Sequence, residues 1–182
     1  MIIMTTLRQV QLSDAAILYS HLSNPCVSRY SRLKPTSVEE MGEMIKYLQN
    51  EENELRVIPR VIINEEDIVV GLIILWDYSF FRQEGFLATV IGENHWGRGY
   101  NQIAKQLFFD ELFALPHLDT IYLLVRKHNE RSIAACNKIS YIKQMSFAED
   151  TELREFYKGK IEDTHLIFYI KKENYIAKEV SS

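Results

Sequence analysis

A chain of 182 residues has the size of one domain, and its 47% hydrophobic and 25% charged residues suffice for one sizeable core, which excludes a disordered chain. The 7 glycines and 4 prolines are too few for a collagen-like or low-complexity sequence, and the 2 cysteines exclude a disulfide scaffold and point to a reducing cytosol. A net charge of −4 gives no electrostatic case for a direct nucleic-acid partner.

The opening Met1–Thr6 lacks the basic region and long apolar stretch of a secretory leader. No apolar run approaches the ~18 residues of a membrane span. No repeat, linker or charge block interrupts the chain, so a single cytoplasmic domain over residues 1–182 is expected, with no membrane partner. Leu7–Val10 alternates apolar and polar residues, as a half-buried strand does. Ser13 and Asp14 offer a cap for a helix beginning Ala15-Ala16-Ile17-Leu18, which Asn24-Pro25 ends. Ser37-Val38-Glu39-Glu40 is a capping-box pattern, and Val38, Met41, Ile45 and Leu48 follow at helical spacing. Val57–Ile63 and Ile68–Trp76, separated by the polar Asn64-Glu65-Glu66-Asp67, form a hairpin pattern, with Pro59 at a bulge or an edge. Phe86–Ile91 is a further strand. A helix with Ile103, Ala104, Leu107, Phe108, Leu112 and Leu115 on one face follows, stopped by Pro116. Thr120–Val125 is a β-branched strand, Asn129 caps a helix through Lys138, and two strands flank Gly159. The order β-α-α-β-β-β-α-β-α-β-β predicts an α+β fold around a mixed sheet.

The most informative segment is Gly92-Glu93-Asn94-His95-Trp96-Gly97-Arg98-Gly99-Tyr100, between a strand and a helix, which holds three of the seven glycines. Glycine permits positive φ and close approach of a ligand to backbone, and a helix N-terminus offers unpaired N–H groups that suit phosphate. Arg98 adds a cation. The segment reads either as a pyrophosphate site or as a turn that only joins strand to helix. GxxxxGK[ST] is absent, and no GxGxxG stands in an N-terminal βαβ unit, so neither the NTPase loop nor the dinucleotide fold applies. The five histidines have no HExxH or other metal spacing, so no metal is expected.

Trp96-Gly97-Arg98-Gly99-Tyr100-Asn101-Gln102 resembles the acetyl-CoA pyrophosphate loop of the GNAT N-acetyltransferases, especially the ribosomal-protein-alanine acetyltransferase (RimJ/RimL-like) branch, where it often reads W-G-K-G-Y-G/A. Four further stretches resemble that branch in order: Leu7-Arg8 with Ser13-Asp14-Ala15, Ser23–Tyr30, Val70-Gly71-Leu72-Ile73, and Asn129-Glu130-Arg131-Ser132-Ile133 through Tyr141. Gly159-Lys160 with Asp163 and Tyr169 resembles its C-terminal hairpin.

The resemblance implies a three-layer arrangement, a mixed central sheet with helices on both faces, and a monomer or homodimer. It implies an enzyme that moves an acetyl group from acetyl-CoA to a primary amine, either a peptide N-terminus or a small molecule, by direct attack. Val90 and Ile91 would pair with the pantetheine amides, and an N–H near Ile91 would stabilise the oxyanion. The amides of Gly97, Arg98, Gly99, Tyr100, Asn101 and Gln102 would hold the pyrophosphate, with Asn129 and Ser132 contacting the cofactor. The alternative for Asn129 is a plain N-cap, and Ser132 reads equally as a solvent-facing first-turn residue. Cys136 stands where many relatives carry the tyrosine that protonates the thiolate, and it is the candidate acid. As thiols, Cys26 and Cys136 otherwise read as small buried hydrophobes. Phe86 stands where relatives often carry a glutamate. Glu84, two residues earlier, is the candidate replacement, or else a solvated loop carboxylate. Asn101 replaces Gly or Ala, and Ser140 replaces Gly. Arg29, Tyr30 and Trp76, with Tyr78, Phe80 and Phe81, would surround the acceptor, while Trp76 reads equally as the end of a core strand. The alternative function is a non-catalytic acyl-CoA-binding module.

Overall fold

The computed structural model describes residues 4–180; Met1–Ile3, read above as part of the N-terminal segment, lie outside the described residues. The strands form a mixed seven-stranded sheet in the order β1-β2-β3-β4-β5-β7-β6. Contacts divide the chain into two compact units, one running to Tyr78 with Ala88–Leu115, the other comprising Ser79–Leu87 and the residues from Pro116 onward.

The first unit holds β1 (Thr6–Arg8), α1 (Ala15–Leu22), α2 (Pro25–Ser28), α3 (Val38–Asn53), β2 (Ile58–Ile63), most of β3 (Val69–Ser79), the second half of β4 (Glu84–Ile91) and α4 (Tyr100–Phe113). β2 and β3 pair antiparallel, as the hairpin pattern predicts, and β1 pairs antiparallel with β2. Pro59 pairs with Ile74, two residues past Val61, the last position that β1 reaches. There β2 is locally an edge, and the missing N–H of proline breaks no ladder. The apolar positions Val61, Ile62, Val70, Ile73 and Leu75 are buried, as are Met41, Ile45 and Leu48 of α3.

Several local expectations change. Asp14 does not cap α1 with its side chain; its carboxylate reaches back to the N–H of Gln11 at 2.8 Å and pairs bidentately with Arg8. Ser37 caps α3 by accepting from the Glu40 N–H at 3.0 Å, but the Glu40 carboxylate goes one residue further back, to Thr36 rather than to Ser37. Val38, in the first turn of α3, is exposed, and the buried stripe begins at Met41. Asn24-Pro25 ends α1 by starting a one-turn helix: the Asn24 side chain accepts from Cys26 N, and proline at the first position needs no N–H partner. On α4 the buried face is Tyr100, Ala104, Phe108, Phe109, Leu112 and Phe113, while Ile103, Leu107 and Leu115 are half-buried.

The second unit holds the first half of β4, β5 (Thr120–Arg126), α5 (Glu130–Asn137), β6 (Lys143–Gln144), α6 (Phe147–Phe156), β7 (His165–Lys171) and α7 (Lys172–Val180). β4 and β5 are parallel from Glu84↔Thr120 to Leu87↔Leu123, and β5 and β7 are antiparallel from Thr120↔Lys171 to Arg126↔His165. Only one long strand flanks Gly159. Ahead of it stand the two-residue β6 and the helix α6, which Ser146 and Glu149 open as a capping box. That Ser-x-x-Glu signal was present in the sequence and outranks the strand reading. α7 is a further helix that the sequence reading did not contain.

Candidate active site

In the first unit, β4 passes through a short turn into the helix α4. Gly97 and Gly99 have φ of +74° and +82°, and a Cβ built on either meets nothing within 4 Å. The backbone conformation demands glycine, and open space lies over both. Gly99 is the N-cap of α4 and has no side-chain capping hydrogen bond. Gly97, Arg98, Gly99, Asn101 and Gln102 are exposed, so the leading amides of α4 face outward. Arg98 makes no hydrogen bond or ion pair among the described residues. These are the parts of an anion cradle: free N–H groups, the positive end of a helix and an uncommitted guanidinium.

Gly92 is glycine for a different reason from its neighbours. Its φ is −58°, and a Cβ there would lie 2.3 Å from the His21 ring. His21 is anchored by its Nε2–H, which donates to the Val69 carbonyl at 2.9 Å, and meets His95 edge-on at 5.7 Å between ring centroids. The Trp96 indole N–H donates to the Ile91 carbonyl at 2.8 Å. Tyr100 is buried with its hydroxyl donating to Glu65 at 3.1 Å, so its side chain anchors α4 and only its amide is available to a ligand. The loop is therefore held from below by side chains and left open above.

Burial, reinforced by the charges of His21 and Arg98, pushes the His95 imidazole below its ordinary value; its Nδ1 is buried without a partner. The unfolded chain then takes up a proton at higher pH than the folded one, so stability is full above pH ~6.5 and declines as the pH falls below it. His165, held low mainly by burial, adds to this slope. Thermal unfolding between pH 7 and 5 is expected to show the decline, and His95→Gln to show a shallower one; identical slopes would rule out His95 as a contributor.

In the second unit, Asn129 caps α5 by accepting from the Ser132 N–H at 3.3 Å, and Ser132 is half-buried in the first turn. Cys136 lies further along the same helix and is buried, whereas Cys26 of the first unit is exposed, contrary to the expectation that both are buried. Glu84 is a buried residue of β4 rather than a solvated loop carboxylate. It accepts from the Tyr122 hydroxyl at 2.9 Å, the Tyr157 hydroxyl at 2.6 Å and Arg82 Nε at 2.5 Å. Phe86 lies on the same strand face, 5.3 Å from the Tyr122 ring and 5.0 Å from that of Tyr157.

Among the expected acceptor residues, Arg29 and Tyr30 are exposed and stack at 5.9 Å, while Trp76 and Tyr78 are buried ends of β3. Phe80 and Phe81 are exposed in the second unit, where Phe80 stacks on His117 at 3.8 Å. It is Arg32, not Arg29, that lies over the Trp76 ring.

The sequence matches the family model described as "Acetyltransferase (GNAT) domain" over residues 5–141, which is most of the chain. The chain belongs to the GNAT acetyltransferase family. It is an N-acetyltransferase, its acyl donor is acetyl-CoA, and its fold is the α+β three-layer arrangement of that family. It is 29% identical over 177 residues to an uncharacterised N-acetyltransferase, p20, of Bacillus licheniformis, covering 92% of this chain and 93% of that protein. Its fold is similar to that of FdhC, a nucleotide-linked sugar GNAT, with a TM-score of 0.76, 17% identity, and 97% and 92% of the two chains covered. It is also similar to the spermidine N-acetyltransferase of Vibrio cholerae, solved with CoA and spermine, with a TM-score of 0.74, 16% identity, and 94% and 98% covered.

Sequence reasoning missed the contacts of Arg32 with Trp76 and of Tyr122 and Tyr157 with Glu84. Tyr122 was legible as a strand residue, but its phenol on Glu84 depends on register. Tyr157 follows α6, whose capping box could have announced the helix. No group of His, Cys, Asp and Glu among the described residues could hold a metal ion, and no helix among them is long and apolar enough to cross a membrane.

Proposed function

We propose that this GNAT enzyme acetylates a primary amine, on a peptide N-terminus or a small molecule, by direct attack on acetyl-CoA, and that it stands in the ribosomal-protein-alanine acetyltransferase branch of the family. One observation carries the donor half of this reading: the uncapped, exposed start of α4, with two left-handed glycines under open space and Arg98 unpaired. Amides from Gly97 to Gln102 and the Arg98 guanidinium hold the diphosphate. The backbone of Val90 and Ile91 pairs with the pantetheine, and Asn129 and Ser132 contact the cofactor from α5. The attacking amine must be uncharged. Its lone pair forms the C–N bond as the C–S bond breaks, the surplus amine proton leaves to water or a base, and the thiolate gains a proton. Cys136 is the residue proposed to supply that proton. Cys26 and Cys136 form no disulfide, which supports a place in the cytoplasm.

Thiol release from acetyl-CoA across a panel of amines and N-terminal peptides tests the reading. Turnover with at least one primary amine is expected. Tight CoA binding without turnover on any of them would overturn the acceptor half and favour a binding module. Arg98→Glu is expected to weaken CoA binding by about 1–3 kcal/mol, the size of a lost charge-assisted bond, and unchanged affinity would remove Arg98 from the cradle. Cys136→Ala with unaltered turnover would remove Cys136 as the acid.

A further inference from the structure

Arg32 lies on the coil between α2 and α3, and its guanidinium meets two consecutive residues of β3 at once. Its Cζ is 5.1 Å from the Trp76 ring centroid, and its Nη1 is 3.2 Å from Oδ2 of Asp77. Consecutive residues of an extended strand project to opposite faces, so one cation cannot ordinarily reach both. Asp77 breaks that alternation. Its φ is +52°, in the left-handed region that a non-glycine residue enters only at a cost, and it lies past the last β2–β3 pair, Ile58↔Leu75. Strain of this kind gathers where a site needs it, and here it turns a carboxylate and an indole toward the same point. An aromatic face beside a carboxylate is the chemistry that holds an ammonium or guanidinium group. The present occupant is weakly held, because the Arg32 and Asp77 side chains are 44% and 30% exposed and ion pairs so exposed contribute little.

We propose that Trp76 and Asp77 form a cation subsite for the acceptor, which Arg32 fills until an acceptor displaces it. The subsite holds a charge, whereas the attacking amine must be neutral. The preferred acceptors therefore carry a cationic group separate from the amine that is acetylated. This deepens the amine-acceptor reading above and rests on it.

Calorimetric titration with 1,4-diaminobutane, with uncharged 1,4-butanediol as control and without acetyl-CoA, tests the subsite. Arg32→Ala vacates it and is expected to tighten diamine binding at least fivefold over the unaltered chain. Adding Asp77→Asn is expected to weaken it at least tenfold; asparagine tolerates the left-handed backbone, so the fold is kept. Butanediol binding is expected to be the same in all three proteins. Diamine affinity unchanged by Arg32→Ala, or unchanged when Asp77→Asn is added, overturns the proposal, as does a diol that follows the diamine. With acetyl-CoA present, the diamine KM is expected to follow the binding constants while kcat stays within twofold. The expected heats without any acetyl transfer would sink the amine-acceptor reading and leave the cation subsite standing.

Discussion

Glu84→Ala is expected to lower the unfolding free energy by about 3–5 kcal/mol, most of it from two buried phenols that lose their shared acceptor. The carboxylate is the shared acceptor of two phenols, Tyr122 and Tyr157, and of Arg82. Alanine would leave both phenols without an acceptor, at about 1–3 kcal/mol each, and would open a cavity beside Phe86. Arg82 adds little to the loss, because its side chain is one-third exposed and lies over the Phe156 ring at 3.7 Å, where water can replace Glu84. Urea denaturation checks the figure; a loss below about 1 kcal/mol would mean that the phenols find other partners. Burial, with Glu84 adding to it, pushes both tyrosines well above their ordinary value. They stay protonated while unfolded tyrosine ionises, so stability is present below pH ~10 and declines as the pH rises above it. Glu84→Gln, which keeps one acceptor oxygen, separates an anchor from a proton carrier. An anchor leaves the pH profile of kcat in place, and a displaced profile would restore Glu84 to the proton-transfer chemistry.

Gly71→Ala is expected to cost about 3 kcal/mol and to weaken CoA binding with it. A Cβ on Gly71 would lie 2.2 Å from the Val90 carbonyl oxygen and 3.2 Å from Ile91 Cα, so backbone must move, and overpacking of this severity stands at the upper end of its usual range. The displaced residues are the two proposed to pair with pantetheine, which couples the stability loss to cofactor affinity. Gly159→Ala is the control. Its φ is +86° with nothing near a Cβ, so it carries only the left-handed penalty of about 1–2 kcal/mol and leaves CoA binding alone. Equal effects at the two positions would show that close packing at Gly71 is not what requires glycine there.

Apart from the one-turn α2, the element order through α5 was legible because each element has its own local signal: Ser37 before the α3 stripe, Asn64–Asp67 between β2 and β3, and Gly97 and Gly99 before α4. The candidate cradle was legible for the same reason, since left-handed glycines and a helix start are properties of a few consecutive residues. The C-terminal part was misread where two local signals competed, the β-like residues before Gly159 against the capping box at Ser146 and Glu149.

The sequence by itself determined the family, the candidate anion cradle before α4 and the positions at which glycine is obligatory for its own φ, because backbone conformation and capping act over a handful of neighbours. Only the tertiary structure decided that Gly71 and Gly92 are small to admit Val90 and His21, that Glu84 is a buried acceptor of two phenols, and that Arg32 rests on Trp76 and Asp77. Each of these depends on which distant residues the strand register and chain path bring within contact, and neither propensity nor periodicity carries that information.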